Sequence, residues 1–403
     1  MASSSIQLRA WKGPAVLSGG FRPMFLMAGI WAGVAMFVWI FMLAGLFELP
    51  TRFDMIAWHA HEFLWGYLSA VIAGFLLTAV PNWTGRLPIV GWPLAGLASL
   101  WVLGRLVVAV SATMPPLLVA ICDMAFQGAL LVALMREIVA GKNWRNLKVV
   151  ALVALMFCLN GLFHWQAAQG QNVADGIAVR GELAAAIIMI ALIGGRVIPS
   201  FTRNWLARQA PGRLPTAPAR GDDIVSGITL VSLASWVIWP DAMASGALAL
   251  LAGVANLWRL SRWTWQRTLG EPLLWVLHLG FLFVPVGFLL VGGAVLAPDV
   301  FPVFGSLHAW LAGAIGITTL AMMTRVSLGH SGRPLQSDWA LTAIYYLAAT
   351  AAIARILAGF LPALSWMIDL AGTAWILAFA LYVIRFTPVL TSPRVVAQRP
   401  GRH

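Results

Sequence analysis

Charged residues and cysteines are both scarce in this chain of 403 residues. Only 10% of the residues are charged and 61% are hydrophobic, whereas roughly 25% are charged in a typical soluble domain. This balance excludes a soluble globular protein. The two cysteines, Cys122 and Cys158, lie within apolar runs, so the sequence supports neither a disulfide framework nor a cysteine-based metal site.

Several motifs that mark cofactor sites or catalysis are also missing. The chain has no Gly-Lys-Ser/Thr phosphate loop, no dinucleotide-binding glycine pattern and no Cys-x-x-Cys-His sequence for covalent haem. Nor can a serine, a histidine and an aspartate be placed together at one depth. The sequence therefore gives no support to a nucleotide site, to covalently attached haem or to a hydrolase triad.

Long apolar stretches fill the chain from about residue 22 to residue 386. Each is long enough to cross a lipid bilayer as a helix, which takes about 17 to 25 residues, and each is bounded by proline, glycine or charge. The pattern predicts an all-α membrane protein with a single transmembrane domain over residues 1–403. The twelve predicted spans are 24–47, 59–80, 92–111, 116–138, 148–168, 182–199, 223–240, 242–258, 272–296, 303–324, 338–360 and 364–385.

Membrane topology accounts for the formal net charge of +12. Most lysines and arginines lie in alternate gaps between the predicted spans, and the opposite loops carry only Arg52 and Arg180. By the positive-inside rule both termini are cytoplasmic, and the loops near 48–58, 169–181 and 297–302 face outward. The first apolar run is too long for a cleavable signal, so we expect an uncleaved first span. The charge therefore indicates no nucleic-acid partner.

Residues 200–222 are rich in arginine and proline, and we predict that they form a cytoplasmic linker. A weak internal repeat also divides the chain into three four-helix units. The predicted units are residues 22–140, 148–260 and 272–386. The interval from His61 to Arg86 equals that from His308 to Arg333, and residues 197–203 at the end of the sixth span echo residues 80–86, so we expect the second, sixth and tenth spans to be equivalent. The alternative is that any helix entering the cytoplasm tends to end in arginine.

Ionisable side chains are costly inside a membrane, so those that cluster there are functional candidates. The predicted topology sorts six histidines into two depths. The outer level holds His59, His61, His164 and His308, and the inner level holds His278 and His330. Imidazole is a common ligand of haem iron and of copper. We therefore predict a haem or metal centre at the outer level and consider the inner two as a second axial pair. The alternative is that each histidine is an interfacial aromatic.

The spacing of the outer residues constrains how they can act. His59 and His61 are two residues apart, which puts them on nearly opposite faces of a continuous helix. They can share one ion only if the helix starts at or after this point; otherwise they serve two sites, or one is structural. Glu62 follows His59 by three residues, so we expect it on the same face, as a ligand, a partner of a ligand or a proton carrier. Glu182 opens the sixth span at similar depth, where a carboxylate needs a cation or a proton.

Two arginines lie deep in the predicted outer leaflet. Arg105 and Asp123 flank one proline turn at matched depth, and Arg355 and Asp369 flank another. At about 1.5 Å per residue these charges lie roughly 10 to 14 Å from the turns, where pairing is nearly obligatory. We predict a salt bridge that locks each hairpin. The alternative is that Arg105 or Arg355 neutralises haem propionates, which match a guanidinium with two parallel hydrogen bonds.

Five stretches of the chain resemble the NnrS family. They are residues 21–25 (FRPMF), 58–62 (WHAHE), 73–85 (AGFLLTAVPNWTG), 194–205 (GGRVIPSFTRNW) and 324–334 (TRVSLGHSGRP). The resemblance implies a bacterial inner-membrane protein of about twelve spans that contains haem and copper. It also implies a role in nitric oxide metabolism and in resistance to nitrosative stress. It transfers no ligand assignment, so the roles of the histidines rest on their depth and spacing.

These features together predict a protein that holds b-type haem and a nearby copper or second iron through its outer histidines. We expect it to bind and reduce nitric oxide, with protons from Glu62 or Glu182 and electrons from a quinol or a periplasmic carrier. The alternatives are a non-enzymatic nitric oxide binder or sensor, and a transporter of a metal or metabolite. Against transport, the ionisable residues gather at the outer level, whereas secondary transporters bind substrates near the midplane.

Overall fold

The computed structural model describes residues 11–86 and 88–395. Within these residues the protein is all-helical, and twelve helices are long and apolar enough to cross a membrane. They are α1 (Phe21–Leu43), α2 (Met55–Thr84), α3 (Trp92–Ala109), α4 (Pro116–Ala140), α5 (Trp144–Ala168), α6 (Ile177–Leu206), α7 (Arg220–Ile238), α8 (Met243–Ser261), α9 (Pro272–Leu296), α10 (Val303–His330), α11 (Trp339–Phe360) and α12 (Trp366–Thr391). The predicted fold class and number of spans are confirmed.

Local capping, more than hydropathy, sets the ends of α2. The Asp54 carboxylate accepts hydrogen bonds at 2.9 Å from the backbone N–H groups of Ile56 and Ala57, which satisfies two otherwise unpaired helix donors. At the other end Gly85 adopts the left-handed conformation, with φ 69°, which stops a helix. The helix is therefore longer than the predicted span 59–80, because the polar residues that cap it lie outside the apolar run.

The connection between α6 and α7 is shorter than the predicted linker 200–222. It comprises only residues 207–219, because α6 accommodates Pro199 and continues beyond it. The connection is also held in place. Arg267 donates hydrogen bonds at 2.6 and 2.8 Å to two of its carbonyl oxygens. The segment is therefore hydrogen-bonded to the loop after α8, although most of its residues are exposed.

The helices pack in an order that closes on itself. The fourth helix of each successive group of four packs on the first helix of the next, α4 on α5, α8 on α9 and α12 on α1. The second helices, α2, α6 and α10, contact one another at the centre and are the most buried of the twelve. This is the order that three four-helix units would give, and the repeat itself stays a prediction.

Two of the three inner helices widen at the same place. A π-helical segment, Glu62–Leu68, directly follows His61 in α2. A second, Ala309–Ile317, directly follows His308 in α10. Such segments are rare and are frequent at functional sites. Both segments lie at the level of the outer histidines, which favours a functional site at that depth.

Candidate functional site

Five ionisable side chains from four helices meet at the predicted outer end of the bundle. They are His61 and Glu62 of α2, Arg105 of α3, Asp123 of α4 and His164 of α5, and none is more than 6% exposed. We call this group the polar cluster. So many buried ionisable groups are tolerable inside a membrane only when they compensate one another.

A single arginine joins the carboxylates of the polar cluster. Arg105 Nη1 donates to Glu62 Oε1 at 2.7 Å, and Nη2 donates to Asp123 Oδ1. The predicted pairing of Arg105 with Asp123 is thus present, and Glu62 is a second partner that the sequence did not predict. One guanidinium facing two carboxylates leaves one negative charge, which a bound cation or a protonated imidazole would balance.

Two imidazoles and one carboxylate of the polar cluster form a group that could bind a metal ion. Asp123 Oδ2 lies 3.2 Å from His61 Nε2 and 3.0 Å from His164 Nε2, and the three ligand atoms all lie within 4.8 Å of one another. Glu62 Oε1 lies 3.0 Å from Nδ1 of the His61 ring. A carboxylate on the far nitrogen is the usual way in which proteins orient a metal-binding histidine.

A large cavity lies on the other side of α2. It measures about 780 Å³ and is lined by residues of the three inner helices, of α1, α7, α9, α11 and α12, and of the connections before α6, after α7 and after α9. His59, His308 and Arg355 are among them, whereas His61 and His164 are not. We call it the outer cavity. Most of the remaining lining is apolar or aromatic, which is typical of small-molecule and cofactor sites.

The two histidines of the outer cavity carry ring nitrogens free to bind a ligand. His308 Nδ1 lies 2.6 Å from the Phe304 carbonyl oxygen and can only donate to it, so Nε2 keeps its lone pair. The His59 ring packs 4.4 Å from the Trp39 ring and 4.7 Å from the Phe63 ring, measured between centroids. Its buried Nδ1 has no hydrogen-bond partner among the described residues.

The outer histidines therefore do not form one site. His61 and His164 belong to the polar cluster, and His59 and His308 to the outer cavity, as the alternative of two sites allowed. The expectation that Glu62 shares a face with His59 is wrong, because its carboxylate bonds to His61 and Arg105. A wider π-helical turn begins at Glu62, so the spacing rule for an α-helix fails there.

The second predicted arginine pair does not form. Among the residues that the structure describes, Arg355 makes no ion pair, and Asp369 is exposed on the bundle surface. Arg355 instead faces the outer cavity and is close enough to act electrostatically on both His59 and His308. The side chain is thus available to an anionic group in the cavity, as the alternative interpretation required.

The remaining candidates occupy separate surroundings. Glu182 is 1% exposed, its side chain contacts Trp65, and its Oε2 has no hydrogen-bond partner within the described part of the chain. Thr202 makes a 2.9 Å hydrogen bond with His278 Nε2. His330 is exposed and packs near Phe21. His278 and His330 thus have different neighbours in the described part of the chain, which gives no support to a second axial pair.

Sequence reasoning missed one polar residue of the site. Asn160 donates hydrogen bonds at 2.9 Å to Asp123 Oδ2 and to Gln127 Oε1, and so helps to hold the carboxylate between the two imidazoles. A signal was available, because Asn160 precedes His164 by four residues and therefore shares its helix face.

The fold and these two sites define a polytopic helical membrane protein with a buried histidine and carboxylate group beside a large apolar cavity. The family model described as NnrS protein matches residues 15–394. Because this is nearly the whole chain, the protein belongs to the NnrS family, as the resemblance of its five stretches implied. A comparison with curated proteins gives no match.

Proposed function

We propose that this protein binds nitric oxide at a b-type haem held in the outer cavity. The observation that carries the proposal is the presence of His59 and His308 in a largely apolar cavity of about 780 Å³. The unpaired Nδ1 of His59 and the free Nε2 of His308 are donors of the kind that haem iron takes. When bound, the haem would supply an iron centre to which nitric oxide can bind.

The side chains of the cavity would position that group and keep water away from it. The Phe304 carbonyl fixes the His308 ring so that Nε2 faces a ligand. Trp39 and Phe63 hold the His59 ring between aromatic surfaces. Arg355 lines the cavity and makes no ion pair among the described residues, so its guanidinium can pair with a haem propionate.

We further propose that the polar cluster holds copper or a second iron. His61, His164 and Asp123 would be the ligands, and Glu62 would orient the His61 ring. Because His61 and His164 do not line the outer cavity, this metal would lie across α2 from the haem. A centre in which both metals share one ligand pocket is therefore not what the geometry supports.

Reduction of nitric oxide is the second candidate function. Conversion of two nitric oxide molecules to nitrous oxide and water consumes two electrons and two protons, so it needs a proton source inside the protein. Glu182 favours this function, because its buried Oε2 has no partner among the described residues and its neighbour Leu183 lines the outer cavity. Glu62 is less suited, since Arg105 holds it in an ion pair. The electrons would come from a quinol or a periplasmic carrier.

Such a protein would protect a bacterium against nitrosative stress from the inner membrane, with both termini in the cytoplasm. The test is an absorption spectrum and an iron and copper analysis of the purified protein, followed by anaerobic addition of nitric oxide. A Soret band that shifts with one equivalent of nitric oxide supports binding, and sustained nitric oxide loss with a reductant supports reduction. Absence of both haem and metal would contradict the proposal and favour a transporter.

A further inference from the structure

A second cavity lies at the end of the bundle opposite the outer histidines. It measures about 220 Å³ and lies where α1 begins and where α2 and α10 end. Three cationic or ionisable side chains line it, those of Arg22, His330 and Arg394. We call it the inner pocket. Nothing in the proposed function uses it, although three of the stretches that resemble the family run through it.

Arg22 is a buried cation at a place where positive charge is unfavourable. It is only 2% exposed and lies in the first turn of α1, where the helix dipole already carries partial positive charge. Its Nη1 donates to the carbonyl oxygens of Val389, Leu390 and Ser392 at 3.3, 2.9 and 2.6 Å. Its Nε and Nη2 make no hydrogen bond among the described residues, and the side chain lines the inner pocket.

The charges around the inner pocket have the same sign. Arg333 is close enough to repel Arg22, and Arg394 is close enough to repel a protonated His330. No aspartate or glutamate lines the pocket in the described part of the chain. A concave surface whose charged side chains are all positive concentrates anions.

We propose that the inner pocket binds a phosphate-bearing anion, either the headgroup of an anionic phospholipid or free phosphate. Its volume of about 220 Å³ far exceeds the ~10–15 Å³ that holds a single water, which leaves room for a phosphate and several more atoms. Trp11 also lines the pocket and packs 6.5 Å from Trp92. Tryptophans of this kind mark the headgroup level of a membrane, and basic clusters on the cytoplasmic side attract anionic lipids.

The test compares three probes on the full-length purified protein in detergent. Phosphatidylglycerol and phosphatidylcholine are titrated by native mass spectrometry, and inorganic phosphate is titrated by calorimetry. Arg394→Gln removes one pocket charge at an exposed position and should weaken binding about fivefold. Arg394→Lys keeps the positive charge and should restore most of the lost binding. Arg208→Gln is the matched control, because Arg208 is an exposed arginine of the α6–α7 connection that does not line the pocket.

Each outcome decides the proposal. Phosphatidylglycerol binding that weakens in Arg394→Gln, with no binding of phosphatidylcholine, identifies a lipid headgroup. Phosphate binding with the same dependence on Arg394 identifies free phosphate. Equal behaviour of Arg394→Gln and Arg208→Gln, or no binding of either net-anionic probe, phosphatidylglycerol or inorganic phosphate, would overturn the proposal. Haem content is not part of this readout, so the result does not depend on the proposed function.

Discussion

The two faces of α2 differ in how their ionisable side chains are paired. On one face, every ionisable group of the polar cluster has an ionisable neighbour, and Arg105 bridges Glu62 and Asp123. On the other face, Arg355 acts electrostatically on both His59 and His308, it makes no ion pair among the described residues, and a large cavity lies beside the two histidines. The first face is packed with paired ionisable groups, and the second is open.

This difference indicates what each face can accommodate. Ligand atoms within 4.8 Å of one another leave room for one small ion, whereas a cavity of about 780 Å³ can take a large organic group. The residue between the two histidines, Ala60, lines the cavity. A two-residue step along one helix thus separates two kinds of surroundings, and the histidine, Ala312 and Glu62 predictions below test that separation directly.

The largest effect should come from Arg105→Leu. It leaves Glu62 and Asp123 buried without a counter-charge, which costs about 3–5 kcal/mol for a broken buried pair. We expect a large drop in the melting temperature and in the yield of folded protein in detergent. Arg208→Leu, at an exposed position, is the control. If both variants have the same melting temperature, the ion pairs do not stabilise the polar cluster.

Single histidine substitutions on the two faces should separate haem from metal. His308→Ala should lower haem content more than about tenfold and leave the metal of the polar cluster in place. His61→Ala should lower the content of that metal by a similar factor and leave the haem in place. Soret absorbance and metal analysis of the same preparations measure both. His278→Ala serves as the control, since His278 is buried against Thr202. Loss of both cofactors in either outer variant would mean that the two faces form one site.

Filling the outer cavity should exclude haem without touching an ionisable group. Ala312 lines the cavity, so Ala312→Phe places a ring where the cofactor would lie. We expect most of the haem to be lost, with a destabilisation of about 1–3 kcal/mol or less because the space is open. Ala247→Phe, on the exposed surface of α8, is the matched control. Full haem content in Ala312→Phe would place the haem elsewhere.

The sequence predicted the scaffold well and the site only partly. Twelve spans follow from hydropathy, and the Arg105–Asp123 pair follows from matched depth in one hairpin. Depth alone could not divide the histidines, because four side chains at one level can still face different neighbours. The one indication in the sequence that the histidines belong to two sites is the two-residue spacing of His59 and His61, which places them on nearly opposite helix faces.

The failures have local physical causes. Glu62 was placed with His59 by the spacing of an α-helix, but a π-helical segment begins at that residue and turns its carboxylate toward His61. Arg355 and Asp369 lie at equal distances from a proline turn, yet equal depth says nothing about direction, and Asp369 faces outward. Tertiary packing of α10 and α11 around the outer cavity decides the position of Arg355.

A smaller effect should follow from Glu62→Gln. The amide keeps the shape of the side chain but loses the charge that orients the His61 ring and pairs with Arg105. Loss of such a partner lowers metal affinity about 10- to 100-fold, and a competition titration with a chelator measures it. Haem content should not change, because Glu62 does not line the outer cavity. Unchanged metal affinity would remove Glu62 from the site.

The smallest effect should come from an ion pair outside the buried region. Arg385 Nε lies 2.9 Å from Asp338 Oδ2, with side chains 38% and 40% exposed. Partial burial raises the pKa of Asp338, but the Leu341 N–H and Arg385 outweigh it and hold the pKa below its usual range. The pair therefore stabilises the protein above the unfolded pKa of about 3.9, and the effect is lost as pH falls through the lower folded value. Solvent screening keeps it to about 0.5 kcal/mol. Arg385→Gln should lower the melting temperature slightly at pH 7 and less at pH 3. If it lowered the melting temperature as much as Arg105→Leu does, burial would not explain why the two ion pairs differ in their contribution to stability.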